Sequence, residues 1–483
     1  MKKSISYLLV FCLVLSVAVC GFAETGSGDM PGEPPEGGPG GTPPGGFGGG
    51  PGNPPSDGFG GPGGTPPGGF GGGHGGSSAD ITYSGAVEIT SADSQAGQVY
   101  ASTTADESAI LISTDAGVAI TDPAVTKTGD SDGGDSCNFY GLNAAVLVKG
   151  GTETTISGGT ISSDADGANG VFCYGGNGGQ NGAAGDGTTL IISDTVITTT
   201  GDGSGGIMTT GGGVTYASNL EVTTSGRSSA AIRTDRGGGT VVVNGGSYTS
   251  GGLGSPAIYS TADITVSDAV LVSSLSEGVC IEGLNSITLN NCDLTADNTQ
   301  CNGNATFYDT IMIYQSMSGD ADSGTSHFSM TGGSLTSRNG HVFHVTNTNA
   351  VITLNKVTIV NEDEDNILLS VCADGWSGGS NVATLKAAEQ ELEGTILVGS
   401  DAELTLELTD GSSFTGCISG EITNAKGTVV STEVGTVSVT LDDSSTWTLT
   451  GDTWITGFSG SAANIISNGY TLYVNGAALS GTK

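Results

Sequence analysis

Residues 266–294 read VSDAVLVSSLSEGVCIEGLNSITLNNCDL, and one six-residue pattern opens and closes this stretch. The pattern is an apolar residue, then Ser, Thr or Asn, then Gly, Asp, Asn or Lys, then two variable residues and an apolar or aromatic one. The third position holds residues that adopt left-handed φ at low cost, so each copy predicts a strand, a tight bend and a strand. The copies are ISGGTI (156–161), ISDTVI (192–197), VNGGSY (243–248), VSDAVL (266–271), LNNCDL (289–294), MTGGSL (330–335), LNKVTI (354–359) and LTGDTW (449–454).

A third short strand is predicted between the copies. Its copies are AAVLV (144–148), GVFCY (170–174), GGIMT (205–209), AAIRT (230–234), PAIYS (256–260), GVCIE (278–282), TIMIY (310–314), HVFHV (341–345), NILLS (366–370) and TILVG (395–399). The spacing between equivalent residues varies, for example 25 residues from Val146 to Val171 and 21 from Ile258 to Val279. Such a period, with insertions, is typical of a solenoid. We therefore predict an all-β fold for residues 80–483, a right-handed parallel β-helix with three strands per coil and roughly a dozen coils.

The first 79 residues are of a different kind. Residues 1–23 have the charged start, apolar stretch and small-x-small end of a secretory signal peptide. An alternative is a lipoprotein signal with Cys20 as the acylated residue. Residues 24–79 repeat GGPGGTPPGGFGGG at 37–50 and 60–73, and such a Gly/Pro-rich segment is expected to be a disordered linker. The sequence thus predicts a secreted or cell-surface protein without a transmembrane segment.

The charge of the chain limits its partners. Its formal net charge is −37, which disfavours nucleic acid and anionic lipid as partners. The expected partners are a polysaccharide, a surface glycan or another cell-surface protein. Seven cysteines follow the signal peptide, an odd number without CxxC spacing, so a complete disulfide framework is not expected.

Two columns of side chains are predicted to point outward from the third strand. If Ile232 and Thr234 face inward, Arg233 and Asp235 face outward, because strand side chains alternate. The first column then holds Leu147, Phe172, Met208, Arg233, Tyr259, Cys280, Met312, Phe343 and Leu368, and the second holds Lys149, Tyr174, Thr210, Asp235, Thr261, Glu282 and Tyr314.

An outward face so rich in aromatic and large apolar side chains predicts a ligand groove. The candidate ligand-binding residues are Phe172, Tyr174, Arg233, Asp235, Tyr259, Glu282, Tyr314 and Phe343. The alternative is that an insertion folds over this face and that Arg227, Arg233 and Arg236, three of the four arginines, hold neighbouring segments together. In that case we expect Arg236 to pair with Glu282 or Asp263.

Spaced carboxylates in GDSDGGD (129–135) provide a candidate calcium site. Asp130, Asp132 and Asp135 supply the oxygen ligands that calcium prefers. The alternative is that these residues only form solvated turns.

Three stretches carry a resemblance to a known family: SSAAIRTDRGGGT (228–240), GSPAIYSTADI (254–264) and EGVCIEGLNSITLNNCDLT (277–295). The chain resembles exported bacterial adhesin-like proteins of the pectate-lyase-like β-helix superfamily, over about residues 100–460. The enzymes of that superfamily use a cationic base with calcium, or clustered aspartates with Gly-His-Gly and Arg-Ile-Lys motifs. Here Val342 follows Gly340-His341 and no Arg-Ile-Lys occurs, so a catalytic role rests on Arg233, Asp235 and Arg236 alone.

Three functions remain open at this point. The favoured one is a non-enzymatic, adhesin-like surface protein that binds a polysaccharide or another surface. The second is a polysaccharide lyase of pectate-lyase type acting at Arg233. The third is a structural rod or matrix protein without a specific ligand.

Overall fold

The structure is a computed structural model that describes residues 81–178 and 184–483. The predicted signal peptide, Cys20 and the predicted Gly/Pro-rich linker lie outside the described residues. Within the described ranges the fold is all-β, as the period-2 apolar patterns predict.

The first half of the described chain forms 22 strands. They are Ser84–Ile89 (β1), Asp93–Ala96 (β2), Val99–Ser102 (β3), Glu107–Ser113 (β4), Val118–Thr121 (β5), Ala124–Thr128 (β6), Val146–Lys149 (β7), Glu153–Ser157 (β8), Thr160–Asp164 (β9), Val171–Tyr174 (β10), Thr189–Ser193 (β11), Val196–Thr199 (β12), Ile207–Thr210 (β13), Gly213–Thr224 (β14), Ile232–Thr234 (β15), Gly239–Ser250 (β16), Ile258–Ser260 (β17), Asp263–Ser267 (β18), Val270–Ser273 (β19), Val279–Glu282 (β20), Ser286–Asn290 (β21) and Asp293–Ala296 (β22).

The second half continues in the same way. Its strands are Asp309–Tyr314 (β23), Thr325–Thr331 (β24), Ser334–Ser337 (β25), His341–Thr346 (β26), Thr348–Asn355 (β27), Thr358–Asn361 (β28), Ile367–Val371 (β29), Asn381–Ala388 (β30), Glu391–Glu393 (β31), Thr395–Val398 (β32), Ala402–Thr409 (β33), Ser413–Gly416 (β34), Ile418–Ser419 (β35), Glu421–Thr423 (β36), Val429–Thr432 (β37), Thr436–Leu441 (β38), Thr446–Leu449 (β39), Thr453–Ile455 (β40), Gly457–Ser459 (β41), Ile465–Ile466 (β42), Leu472–Val474 (β43) and Ala477–Ala478 (β44).

Helix is rare in the described part of the chain. One α-helix, α1, spans Asp135–Tyr140, and a 3-10 helix spans Ala462–Asn464. Neither is long or apolar enough to cross a membrane. Helix α1 lies within the insertion between β6 and β7, where the sequence had predicted a calcium loop.

The strands pair in parallel ladders. Thirteen of them form one sheet, here called sheet A, in the order β1-β4-β7-β10-β13-β15-β17-β20-β23-β26-β29-β32-β35. A 22-stranded sheet, sheet B, contains two parallel runs side by side. In one run β18 pairs with β21 and β21 pairs with β24. In the other run β19 pairs with β22 and β22 pairs with β25. Within the described ranges, antiparallel pairs occur between β36 and β37 and between β43 and β44. Such stacks of parallel strands are compatible with a parallel β-helix.

The bends between the two runs of sheet B have the conformation that the sequence predicts. The third pattern position has positive φ in seven of the eight copies: Gly158, Asp194, Gly245, Asp268, Asn291, Gly332 and Lys356. Asp122, Asn219 and Glu389 occupy the same kind of bend with φ near 50°, although their flanking residues were not recognised as copies. The left-handed bend is therefore a general feature of these ladders.

The core lies between the sheets. It is one continuous apolar cluster that extends from Ile89 to Leu472. Near its C-terminal end the rings of Phe414 and Trp447 stack with centroids 5.5 Å apart. A continuous core of this kind holds sheet A rigidly, so side chains on its outer face have fixed positions.

Candidate functional site

The outer face of sheet A carries the predicted first column as far as Met312. Cα pairs join Leu147 to Phe172, Phe172 to Met208, Met208 to Arg233, Arg233 to Tyr259, Tyr259 to Cys280 and Cys280 to Met312. The second predicted column is also in register, for example where Glu282 pairs with Tyr314.

The prediction for Phe343 is wrong. Met312 pairs with His344, and His344 with Ser370, so these residues continue the column instead of Phe343 and Leu368. Phe343 pairs with Ile311, lies in the core and packs edge-on against Phe328 with ring centroids 5.8 Å apart. The alternation along this strand places Phe343 and Val345 inward, one position away from the predicted alignment.

Both columns are covered rather than open. All eight candidate ligand-binding side chains are buried, and Arg233, with 7% of its surface exposed, is the most exposed of them. Insertions between the ladder strands cover this face. This agrees with the alternative prediction from the sequence, in which an insertion folds over the outward columns.

Two regions of the covered face can be distinguished by what lies on them. In the helix-covered region, Phe139 and Tyr140 of α1 pack on the sheet A residues Leu111, Leu147, Phe172, Tyr174 and Met208. In the loop-covered region, Trp376 of the loop 372–380 packs in a cluster with Tyr259, Cys280, Met312 and Tyr314.

Arg233 connects the two regions. Its Nη2 lies 2.7 Å from Asp235 Oδ2, and its Nη1 donates to the carbonyl of Ser228 at 3.0 Å and to Asn138 Oδ1 of α1 at 3.3 Å. The guanidinium carbon is 5.8 Å from the centroid of the Tyr259 ring. Burial raises the pKa of Asp235 to about 7, although the charge of Arg233 acts in the opposite direction.

The other two clustered arginines also bind insertions. Arg236 Nη2 lies 2.6 Å from Asp320 Oδ1 in the loop 315–324, and its guanidinium carbon lies 4.2 Å from the centroid of the Phe139 ring. Its partner is therefore neither Glu282 nor Asp263. Arg227 Nη2 donates to Asn302 Oδ1 in the loop 297–308 at 3.2 Å. The three arginines thus tie the covering segments to the sheet.

A chain of polar side chains runs from Asp320 to the two predicted tyrosines. Ser318 donates to Asp320 at 2.8 Å, Ser316 Oγ lies 2.8 Å from Ser318 Oγ, and Ser316 Oγ also contacts Glu282 Oε1. The hydroxyls of Tyr259 and Tyr314 donate to Glu282 Oε2 at 2.7 and 3.1 Å. Burial raises the pKa of Glu282.

The loop-covered region also contains a pocket. Its cavity volume is about 60 Å³. The lining residues are Gly254, Pro256, Tyr259, Glu277, Cys280, Asn302, Gly303, Asn304, Ala305, Met312, Tyr314 and Trp376. Tyr259 and Tyr314 were predicted as ligand-binding residues, whereas Trp376 and Glu277 were not. A large aromatic residue inside the Gly/Ser-rich stretch DGWSGGS (374–380) was the signal that could have identified Trp376.

Beside this pocket lies a buried Ser–His–Asp cluster. The Nδ1 atoms of His341 and His344 each lie 2.7 Å from Ser370 Oγ, and His344 Nε2 lies 3.5 Å from Asp374 Oδ2. The Phe307 ring packs on both imidazoles, with centroid distances of 5.3 Å and 4.8 Å.

The loops 297–308 and 372–380 meet at Asp374 of this cluster, which accepts hydrogen bonds from the backbone and hydroxyl of Thr306. Burial acts to raise the pKa of Asp374, but the bonds and charge of His344 and the bonds of Thr306 lower it on balance. Ser370 and His344 are fully buried, and in this arrangement the cluster joins the two loops.

The predicted calcium ligands are not assembled into a site. Asp130 Oδ1 accepts the amide of Asp166 at 3.0 Å, and Asp166 Oδ1 in turn accepts the amide of Asp202 at 2.7 Å. Asp135 begins α1, and Asp132 is exposed. In residues 81–178 and 184–483, no group of three or more His, Cys, Asp or Glu side chains is placed to hold a metal ion. The alternative, in which these residues form turns, fits Asp130, because its carboxylate accepts a hydrogen bond from the backbone amide of Asp166.

No protein-family model, no curated protein and no solved structure matches this chain. What can be said of its chemistry therefore rests on the side chains described above.

Proposed function

We propose that this chain is an exported surface or extracellular protein of adhesin type that binds a glycan or another surface component without turning it over. In this proposal the fold is a right-handed parallel β-helix with three strands per coil. The observation that carries the proposal is the pocket, because four rigidly held ladder residues line it together with covering loops, one of which contributes the half-buried aromatic residue Trp376. Binding sites are typically concave, apolar and built on such supports.

The ladders support the three-strand coil. After β17 in sheet A, the chain forms β18 and β19 in the two runs of sheet B, and it returns to sheet A as β20. Each of these strands pairs with its counterpart in the next set, as β17 does with β20. The same order repeats along most of the described chain.

The state of the catalytic candidates favours binding over turnover. A catalytic base must reach the proton that it abstracts from its substrate. Arg233 and Asp235 are buried and bonded to each other, and Arg236 is paired with Asp320. A net charge of −37 further disfavours an anionic uronate polymer as the substrate. The lyase is therefore a weaker candidate than the binding protein.

Retention on immobilised polysaccharides tests the proposal. The full chain is passed over neutral, anionic and cationic polysaccharides, and the eluates are assayed for unsaturated uronates. We expect saturable retention without product, and weaker retention for Trp376→Ala than for the control Trp454→Ala, which removes an exposed aromatic side chain far along the chain. An unsaturated product that Arg233→Lys abolishes would establish the lyase instead. Self-association without retention or product would establish a structural protein.

A further inference from the structure

The pocket of the loop-covered region has aromatic walls. Tyr259, Tyr314 and Trp376 line it, and the rings of Tyr314 and Trp376 have centroids 4.9 Å apart at an angle of 50°. Both tyrosine hydroxyls donate to Glu282, which does not line the pocket. The tyrosines therefore present mainly ring carbons to the cavity.

One carboxyl group lies in this aromatic wall. Glu277 is 4% exposed, and its Oε2 accepts a hydrogen bond from Ser276. Among the described residues, no Lys, Arg or His lies within ion-pair distance of Glu277. A second buried carboxyl, that of Asp309, is close enough for the charge of Glu277 to raise its pKa. This part of the molecule thus has an excess of acidic groups.

Three basic side chains near the pocket already have hydrogen-bond partners, and two of those partners, Asn302 and Ala305, line the pocket. Arg227 donates to Asn302, Lys426 Nζ donates to the carbonyl of Ala305 at 3.4 Å, and Arg233 is paired with Asp235. Arg233 lies 5.8 Å from the Tyr259 ring centroid, so this ring already contacts one cation outside the pocket. The pocket itself has aromatic faces and a carboxyl group but no cation.

Aromatic faces around a carboxylate are the chemistry that binds organic cations, and quaternary ammonium groups above all. A primary ammonium would need several hydrogen-bond acceptors. Apart from the two tyrosine hydroxyls, only Glu277, Asn302 and Asn304 among the lining residues have a side-chain oxygen, and Asn302 Oδ1 already accepts from Arg227. The cavity volume of about 60 Å³ corresponds to about four water molecules. That space suits a trimethylammonium group.

We propose that this pocket binds the quaternary ammonium group of a small organic cation, with the rings of Tyr259, Tyr314 and Trp376 around its methyl groups and Glu277 as its counter-ion. This inference rests on the proposed function, because it names the ligand class of the same site. The strongly negative protein also raises the local concentration of any cation.

Choline and its uncharged isostere 3,3-dimethylbutan-1-ol form a matched pair of probes. Calorimetric titration of the full chain is expected to show saturable binding of choline at one site and binding of the isostere at least about tenfold weaker. Glu277→Gln and Trp376→Ala should each weaken choline binding about tenfold or more, and Trp454→Ala should leave it unchanged. Denaturation curves of each variant show whether it is folded.

Equal affinity for choline and the isostere would overturn the assignment, because the pocket would then be merely apolar. Absence of choline binding by the folded protein, or full choline affinity in Glu277→Gln, would overturn it too.

The same variants separate this inference from the proposed function. If Glu277→Gln is still retained on a glycan surface and choline does not compete, the surface protein stands and the cation site fails. If choline binds but no surface retains the chain, the cation site stands and the adhesin-type function fails. If choline-substituted agarose retains the protein and free choline elutes it, the site binds the quaternary ammonium group on a surface as well as in solution.

Discussion

The two covered regions of sheet A use equivalent ladder positions in different ways. In the helix-covered region the cover is aromatic: Tyr140 packs edge-on against Phe139 and Tyr174, with centroid distances of 6.2 and 5.8 Å. In the loop-covered region the ladder carries the buried acid Glu282 and borders Glu277 and a cavity. A close-packed interface stabilises the fold, whereas buried acids and empty space reduce stability and are typical of binding sites. In our proposal the first region serves stability and the second serves recognition.

The largest effect is expected from Phe172→Ala in the helix-covered region. Phe172 is fully buried between the sheet and α1, so the cavity left behind should lower the free energy of unfolding by about 3–5 kcal/mol. Chemical denaturation measures this loss, and choline binding should persist in the folded variant. A loss below about 1 kcal/mol would show that the cover is loosely packed and would remove the contrast between the regions.

The second effect concerns the junction of the two regions. Arg236→Met keeps the aliphatic length but removes the bond to Asp320, so we expect a loss of about 2–3 kcal/mol and faster hydrogen exchange in both 129–143 and 315–324. Arg338→Met is the matched control, because its contact with Glu362 is 3.9 Å long and exposed; it should change stability by less than about 0.5 kcal/mol. Faster hydrogen exchange in only one of these two segments would show that Arg236 does not hold both of them.

The third effect has the opposite sign. Burial raises the pKa of Asp309 well above its ordinary value, with the charges of Glu277 and Asp374 acting in the same direction. The folded state therefore keeps a proton that the unfolded state releases as the pH rises above about 4, so this group's contribution to stability falls with pH. Asp309→Asn should leave stability nearly unchanged at pH 4 and raise it at pH 8, by about 1–2 kcal/mol. Thermal unfolding of the wild type and the variant at pH 4 and pH 8 measures this change in stability. An equal change in melting temperature at the two pH values would exclude ionisation of Asp309 as the cause.

The smallest effect on stability is expected from Trp376→Ala. Trp376 is only half-buried and lies in a loop, so its removal should lower the free energy of unfolding by less than about 1 kcal/mol. The same change should weaken choline binding about tenfold or more. Together with Phe172→Ala, this variant tests whether the helix-covered region matters more for stability than the loop-covered region. A severe loss of stability in Trp376→Ala would show that Trp376 has a structural role.

Much of the candidate site could be predicted from strand alternation. Tyr259 lies in the first predicted column, and Glu282 and Tyr314 lie in the second, because each is on the outer side of a period-2 pattern. Phe343 was misplaced because HVFHV (341–345) offers an apolar residue in both registers, and only pairing with β23 decides between them. Trp376 and Glu277 could not be predicted as neighbours, since one is in a loop after β29 and the other in a turn before β20.

The sequence by itself determined the parallel ladders, the left-handed bends and the outward columns, because these follow from local periodicity and from residues that tolerate positive φ. Only the tertiary structure decided that insertions cover the columns, that Arg227, Arg233 and Arg236 hold those insertions, and that Asp130 bonds a backbone amide rather than joining a calcium site. These outcomes depend on where segments as many as 95 residues apart, such as those of Asn138 and Arg233, meet in space. No local pattern encodes that distance.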